Sequence, residues 1–108
     1  MEDKIKKDKE KNQIGIYGNT FAFTGSLSTY TRSEAQTLVQ TLNGKYKRSV
    51  TNDTDYLVLG HFRSITRLTD GKSHKLIQAE SNQKKGYDIK IITEKQFIEM
   101  IWISSRSR

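Results

Sequence analysis

Residues Phe21 to Ala35 read FAFTGSLSTYTRSEA, and this stretch decides the fold. A short aromatic run stops at Thr24-Gly25, passes through a cluster of hydroxyl side chains, and enters a helix. Thr31-Arg32-Ser33-Glu34 fits a capping box, with Thr31 as N-cap and Glu34 reaching back to it. Ala35, Leu38, Val39 and Leu42 then recur at helical spacing and form one apolar face. Asn43-Gly44 ends that helix, the glycine accepting the left-handed cap conformation. One feature is out of place. Arg32 falls in the first helical turn, where the helix dipole favours a carboxylate over a cation.

Outward from this stretch, Gly15 to Asn19 reads as a turn leading into a buried first strand, Thr20 to Phe23. Downstream, Lys45 to Val50 is a polar strand suited to a sheet edge, and Tyr56 to Leu59 is the most strand-like run in the chain. Gly60 to Gly71 is a basic loop without periodicity. A second helix is predicted from Lys72 or Ser73 to Asn82, burying Leu76, Ile77 and Ala79, with Gly86 closing the segment. Ile89, Ile91 and Ile92 mark a last strand. Thr93-Glu94-Lys95-Gln96 is a second capping box, opening a helix that buries Phe97, Met100 and Ile101, with Trp102 extending the face. Strands alternating with helices predict an α/β fold: a four-stranded parallel sheet flanked by three helices. Such sheets bind ligands at the carboxyl ends of their strands, which is where Thr24-Gly25 falls.

Composition sets the class of partner. The 108 residues carry a formal charge of +7, hold no cysteine and two histidines, and are 33% hydrophobic; mean hydropathy is −0.75. One lean domain is expected over residues 15–103, preceded by a basic flexible arm at 1–14 and followed by a frayed tail at 104–108. The arm follows from five lysines and four acids in the first twelve residues. Without cysteine there is neither a disulfide framework nor a thiolate metal site, and His61 and His74 lack ligand spacing. No apolar run approaches the roughly 18 residues that cross a bilayer, so no membrane partner is expected. The expected location is cytoplasmic, with the nucleoid in a bacterium, or nuclear in a eukaryote. The positive charge favours an anionic partner, nucleic acid first.

The ordered set of motifs resembles a BRCT domain. It comprises FAFTGSLSTYTRSEAQTLVQTLNGKYKRSVTNDTDYLVLG, then DGKSHKLIQAE, then IKIITEKQFIEMI. The resemblance runs from about residue 18 to 101. The variety is similar to the bacterial type at the end of NAD-dependent DNA ligases and to the domain in the large subunit of replication factor C. The Asp70-Gly71-Lys72-Ser73 element is also similar to modules attached to proofreading-type exonucleases. Phe97 stands where many members carry tryptophan. The resemblance implies a three-layer sandwich and a phosphate site at one end of the sheet. Matching positions are Thr24, Gly25 and Lys75, with Arg32 as the residue that marks binding of DNA 5′-phosphates. Lys72 is the supplementary lysine, one helical turn before Lys75, and Tyr30 stands beside the pocket.

The residues support that placement on their own chemistry. A phosphate monoester takes several charge-assisted donors, two of which an arginine supplies in one plane. Gly25 permits close backbone approach, and a helix N-terminus offers amides. An anion seated there would also account for Arg32 at the helix start. Each residue has a plainer reading: Thr24 as a turn hydroxyl, Arg32 as a solvated cation, the two lysines as one flank of an amphipathic helix, Tyr30 as groove filler. Lys45, Lys47, Arg48, Arg63 and Arg67 suit either a DNA backbone or bulk solvent. Phe21, Phe23, Tyr56 and Phe97 are assigned to the core. The expected function is a non-catalytic DNA-binding module for 5′-phosphorylated ends or nicks, within a replication or repair protein, with a DNA ligase or an exonuclease as the candidate parents. The alternatives are binding of phosphopeptides and docking to other proteins or domains. No nucleophile, metal cluster or nucleotide-binding glycine motif points to an enzyme, and no cofactor is implied.

Overall fold

The structure, a computed structural model, describes residues 15–61 and 72–106. The basic arm at 1–14, Arg63 and Arg67 with most of their loop, and residues 107–108 lie outside the described residues. Within them the chain runs β1 (Thr20–Thr24), α1 (Arg32–Thr41), β2 (Lys45–Tyr46), β3 (Tyr56–Leu59), α2 (His74–Lys84), β4 (Lys90–Thr93) and α3 (Glu94–Arg106). The four strands make one sheet in the order β2-β1-β3-β4, every neighbouring pair parallel. This is the predicted α/β architecture. No helix among the described residues is long and apolar enough to cross a membrane.

Period-two alternation along β1 divides the core between the two faces of the sheet. Phe21 and Phe23 join Tyr56 and Val58 beneath α1 and α3, which contribute Ala35, Val39, Phe97, Met100 and Ile101. The Phe97 ring meets Phe21 and Phe23 edge-on at 5.7 and 5.1 Å, and Phe21 stacks on Tyr56 at 5.1 Å, the offset and edge arrangements that ring quadrupoles favour. On the other face, Ala22 and Leu57 meet buried Ala79 and Ile89, with Val50, Leu59, Leu76 and Ile91 partly buried around them, a thinner layer under α2. Both capping boxes form. Thr31 Oγ1 accepts from the Glu34 amide at 3.0 Å while Glu34 Oε1 accepts from the Thr31 amide at 2.9 Å. Thr93 and Gln96 repeat the exchange at 3.1 and 2.9 Å.

Several expectations are corrected. The left-handed residue after α1 is Asn43, with φ 66°, not Gly44. Gly44 is needed for space, since a Cβ there would lie 2.8 Å from the Ile16 side chain. Ile16, read as part of a turn, is fully buried. The tail expected at 104–108 is helical through Arg106, and Ser104 Oγ accepts the Ile16 amide at 2.7 Å. Trp102 does not extend the buried face: it is 64% exposed. Ile77 is likewise 40% exposed; the buried side of α2 is formed by Ala79 and Asn82, with Leu76 partly buried beside them. β2 stops at Tyr46 rather than reaching Val50.

Two loops cross at the carboxyl end of the sheet. Ser26 pairs with His61 in an antiparallel bridge, with amide–carbonyl bonds of 2.7 and 2.8 Å. A Cβ on Gly60 would fall 2.4 Å from the Ser26 carbonyl oxygen, and one on Gly25 would fall 2.8 Å from that of His61. Gly25 also holds φ +85°. The crossing thus depends on two missing side chains. Gly60→Ala is expected to lower stability by about 3 kcal/mol, the upper part of the overpacking range. Gly86→Ala is the control: φ is +98° there, but nothing lies within 4 Å, so the cost is about 1 kcal/mol of left-handed strain. Urea denaturation midpoints of the two variants test the order.

Candidate anion-binding site

The site grows out of the place where β2 leaves the sheet. Along that edge the carbonyls of β1 alternate in direction, and the ladder to β2 uses every second one: Lys45 donates to Asn19 and Lys47 to Phe21, both at 2.9 Å. The next acceptors in this series are Phe23 and Gly25. No strand reaches them. Lys75 Nζ donates to the Phe23 carbonyl at 2.6 Å, and the Arg32 guanidinium donates through Nη2 to the Gly25 carbonyl. Two cations from two different helices therefore finish an unfinished ladder. Buried backbone acceptors must find donors, and here the donors are charged.

Arg32 is held a second time. Its guanidinium carbon stands 5.7 Å from the centre of the Phe23 ring, within cation–π range. These two contacts explain a cation in the first turn of α1: the carbonyl and the ring stabilise it locally. They also fix its position. Lys75 is less comfortable. Burial pushes its ammonium below the ordinary lysine range, and the charges of Arg32 and Arg48 push the same way. Three cations are thus grouped at the carboxyl ends of β1 and β2.

Beside Arg32 opens a cleft of about 380 Å³ lined by residues 25–32 and Glu34, including Gly25, Tyr30 and the hydroxyls of the loop. Tyr30 lies on its wall while also packing against the main core. Thr24 is close by but occupied: its hydroxyl is buried and donates to Ser73 Oγ at 2.9 Å. That bond ties the end of β1 to the N-cap of α2, since Ser73 Oγ also accepts the Leu76 amide. Lys72 does not join the group. It precedes the N-cap, so the expected helical spacing to Lys75 does not exist, and its ammonium pairs with Glu80 at 2.8 Å. It lines a separate hollow with Glu80, Gln83 and Lys84.

Glu94 was not anticipated. Its carboxylate accepts the Ser28 amide at 2.8 Å and the Thr29 amide at 2.7 Å, one on each oxygen. Partial burial raises the Glu94 carboxyl pKa, but these amides, the Thr29 hydroxyl and nearby His61 outweigh that and leave it below the usual carboxylate value. Part of the amide lining of the loop is therefore already satisfied from within the protein. The signal was present in the sequence as an acid in the first turn of a helix that starts at a strand's carboxyl end, the same end of the parallel sheet as Thr24-Gly25.

A family model of the BRCA1 C Terminus (BRCT) domain matches residues 17–101. Among similar proteins, a DNA ligase of Aquifex aeolicus is 40% identical over 96 residues, 89% of this chain and 12% of that protein. A DNA ligase of Haloarcula marismortui is 39% identical over 93 residues, 86% and 12% of the two chains. One from Thermoanaerobacter pseudethanolicus is 38% identical over 98 residues, 91% and 12%. The chain spans only 12% of the length of each of these relatives.

Glu94 anchors the loop that carries Tyr30 and leads to Arg32, so Glu94→Gln is expected to cost about 1 kcal/mol. That is below the 1.5–3 typical of bonds to a charged group because Glu94 is partly exposed to solvent. A carboxyl whose folded pKa is depressed contributes stability above its unfolded value and loses it as pH falls through the folded value. The stability gap between wild type and Glu94→Gln is therefore full at pH 7 and closes as pH drops below the ordinary carboxylate range. Urea midpoints measured at pH 7 and at pH 3 check both the size and the sign.

Proposed function

The chain belongs to the BRCT domain family, and on that premise we propose that it is a non-catalytic module that binds DNA at a 5′-phosphorylated end or nick. The carrying observation is the pair of pinned cations: Arg32, held by the Gly25 carbonyl, lines the cleft, and Lys75, held by the Phe23 carbonyl, adjoins it at the end of β1. An anion between them meets charge-assisted donors that are already in position, with little side-chain freedom left to lose. It also relieves the burial and repulsion felt by Lys75. Gly25 and Tyr30 border the same space. Thr24 contributes its hydroxyl by exchanging the Ser73 bond for the phosphate. Lys72, bound to Glu80, stands outside the proposed site.

Recognition through phosphate rather than base edges suits this lining, and the formal charge of +7 adds a salt-dependent attraction to any nucleic-acid backbone. The relatives' name points the same way: a module carried by DNA ligases meets nicked duplexes with a 5′-phosphate. The parent protein's chemistry is assigned to residues outside this domain.

Binding of the 108-residue chain to recessed-end duplexes that differ only in the 5′ group tests the reading. The phosphorylated duplex is expected to bind at least tenfold more tightly than the 5′-hydroxyl duplex. Arg32→Ala and Lys75→Met are each expected to remove most of that preference, since a charge-assisted hydrogen bond contributes about 1.5–3 kcal/mol. Amide NMR spectra establish that both variants are folded. Equal affinity of the wild type for both duplexes removes end recognition. A phosphothreonine peptide that binds while neither duplex does moves the site to the alternative ligand class.

A further inference from the structure

A second hollow adjoins the first site on the side of the missing β2 residues. It measures about 200 Å³ and is lined by Ser49, Val50, His74, Lys75 and Gln78. It exists because the chain bends away from β1 after Lys47, leaving Ser49 short of the Phe23 carbonyl that its amide would otherwise reach. Lys75 fills that hydrogen-bond position and forms the wall between this hollow and Arg32. Arg48, adjacent to Ser49, is exposed, and its charge is felt at Lys75. His74 lies on the other side. The lining is polar and basic, and the proposed end-binding function does not use it.

Resting on the reading above, we propose that this hollow is a second anion subsite, taking the first internucleotide phosphate of the strand whose 5′-phosphate sits against Arg32. The Phe23 and Gly25 carbonyls that pin Lys75 and Arg32 are two residues apart along the chain, at and just past the end of β1, the reach of a single sugar-phosphate unit. Lys75, between the subsites, faces both phosphates. Arg48 and His74 face only the second. The Ser49 hydroxyl and the Gln78 amide supply neutral donors. A phosphodiester carries one negative charge and no free terminus, which suits a solvent-open hollow beside one exposed guanidinium. The arrangement gives the strand a direction as well as an end: the terminal phosphate in the cleft, the chain leaving across β2.

Four duplexes decide the matter: 5′-phosphate or 5′-hydroxyl, each with either a natural or a neutral methylphosphonate first linkage. For the wild-type chain with the 5′-phosphate, neutralising that linkage is expected to weaken binding about five- to tenfold, the loss of one ordered phosphate contact. Arg48→Ala is expected to bind the natural duplex more weakly than the wild type and to lose most of the linkage effect, Lys75 keeping the remainder. Lys84→Ala, an exposed charge at the far end of α2, is expected to retain the full linkage effect. Three results overturn the inference: no linkage effect in the wild type, an undiminished linkage effect in Arg48→Ala, or equal losses in Arg48→Ala and Lys84→Ala. If the 5′-phosphate still matters in such a case, end recognition stands and only the second subsite falls. If the wild type ignores the 5′-phosphate, the end-binding reading fails and takes this inference with it.

Discussion

The constraint on which the rest depends is that β1 is longer than its neighbour. β1 spans Thr20 to Thr24 at the centre of the sheet, whereas β2 contributes two residues and then departs. The carbonyl of buried Phe23, and that of half-buried Gly25 just past the strand, are left without a ladder partner, and a buried acceptor without a donor costs about 1–3 kcal/mol. Extending β2 would satisfy Phe23 with neutral amides. The protein instead brings Lys75 from α2 and Arg32 from α1 to do so. Both cations are consequently fixed to the sheet, and the ends of three elements are drawn into one neighbourhood.

The other side of β1 is closed as firmly as this side is open. There the Ser26–His61 bridge seals the gap between the loops after β1 and β3, which in a parallel sheet diverge to different helices and leave a crevice. Gly25 and Gly60 make the seal possible by their lack of Cβ atoms. Glu94 then ties the continuing loop to α3 through the Ser28 and Thr29 amides. The usual crevice between diverging loops is occupied by backbone, and the accessible space is displaced toward α1 and the β2 edge. That displacement is why the cleft and the second hollow lie on either side of the Arg32–Lys75 pair.

Much of this was legible in the sequence. Element order, the parallel sheet, both capping boxes and the aromatic core follow from local rules that need only a few neighbouring residues: Thr31 with Glu34, Thr93 with Gln96, Phe21 and Phe23 in alternation. What escaped depends on contacts between distant segments. Gly44 appeared to be a conformational glycine and is a spatial one, because the obstructing Ile16 lies 28 positions earlier. The Lys72–Lys75 flank dissolved because Ser73, not Lys72, caps α2, a boundary that one residue decides. Glu94 was hidden in a capping box that explained it only in part. Gly25 is legible as the sharp exit from β1, which its φ of +85° bears out, but the close approach of the His61 carbonyl is not.

The choice of charged donors at the ladder's end separates a structural role from a ligand-binding one. A glutamine or a longer β2 would satisfy the Phe23 carbonyl without placing an ammonium beside two guanidiniums. Lys75 shows the cost: burial first, then Arg32 and Arg48, lower its pKa. A depressed lysine destabilises the folded state at every pH below its folded pKa and is relieved only as pH rises through that value toward the ordinary lysine range. At every pH below that folded value the free domain therefore carries the whole penalty. An anion bound among the three cations reverses each contribution, replacing repulsion with attraction and lost hydration with charge-assisted bonds. Local rules are broken where a fold serves something other than its own stability. Here the break is confined to the few residues where β1 outruns its neighbour.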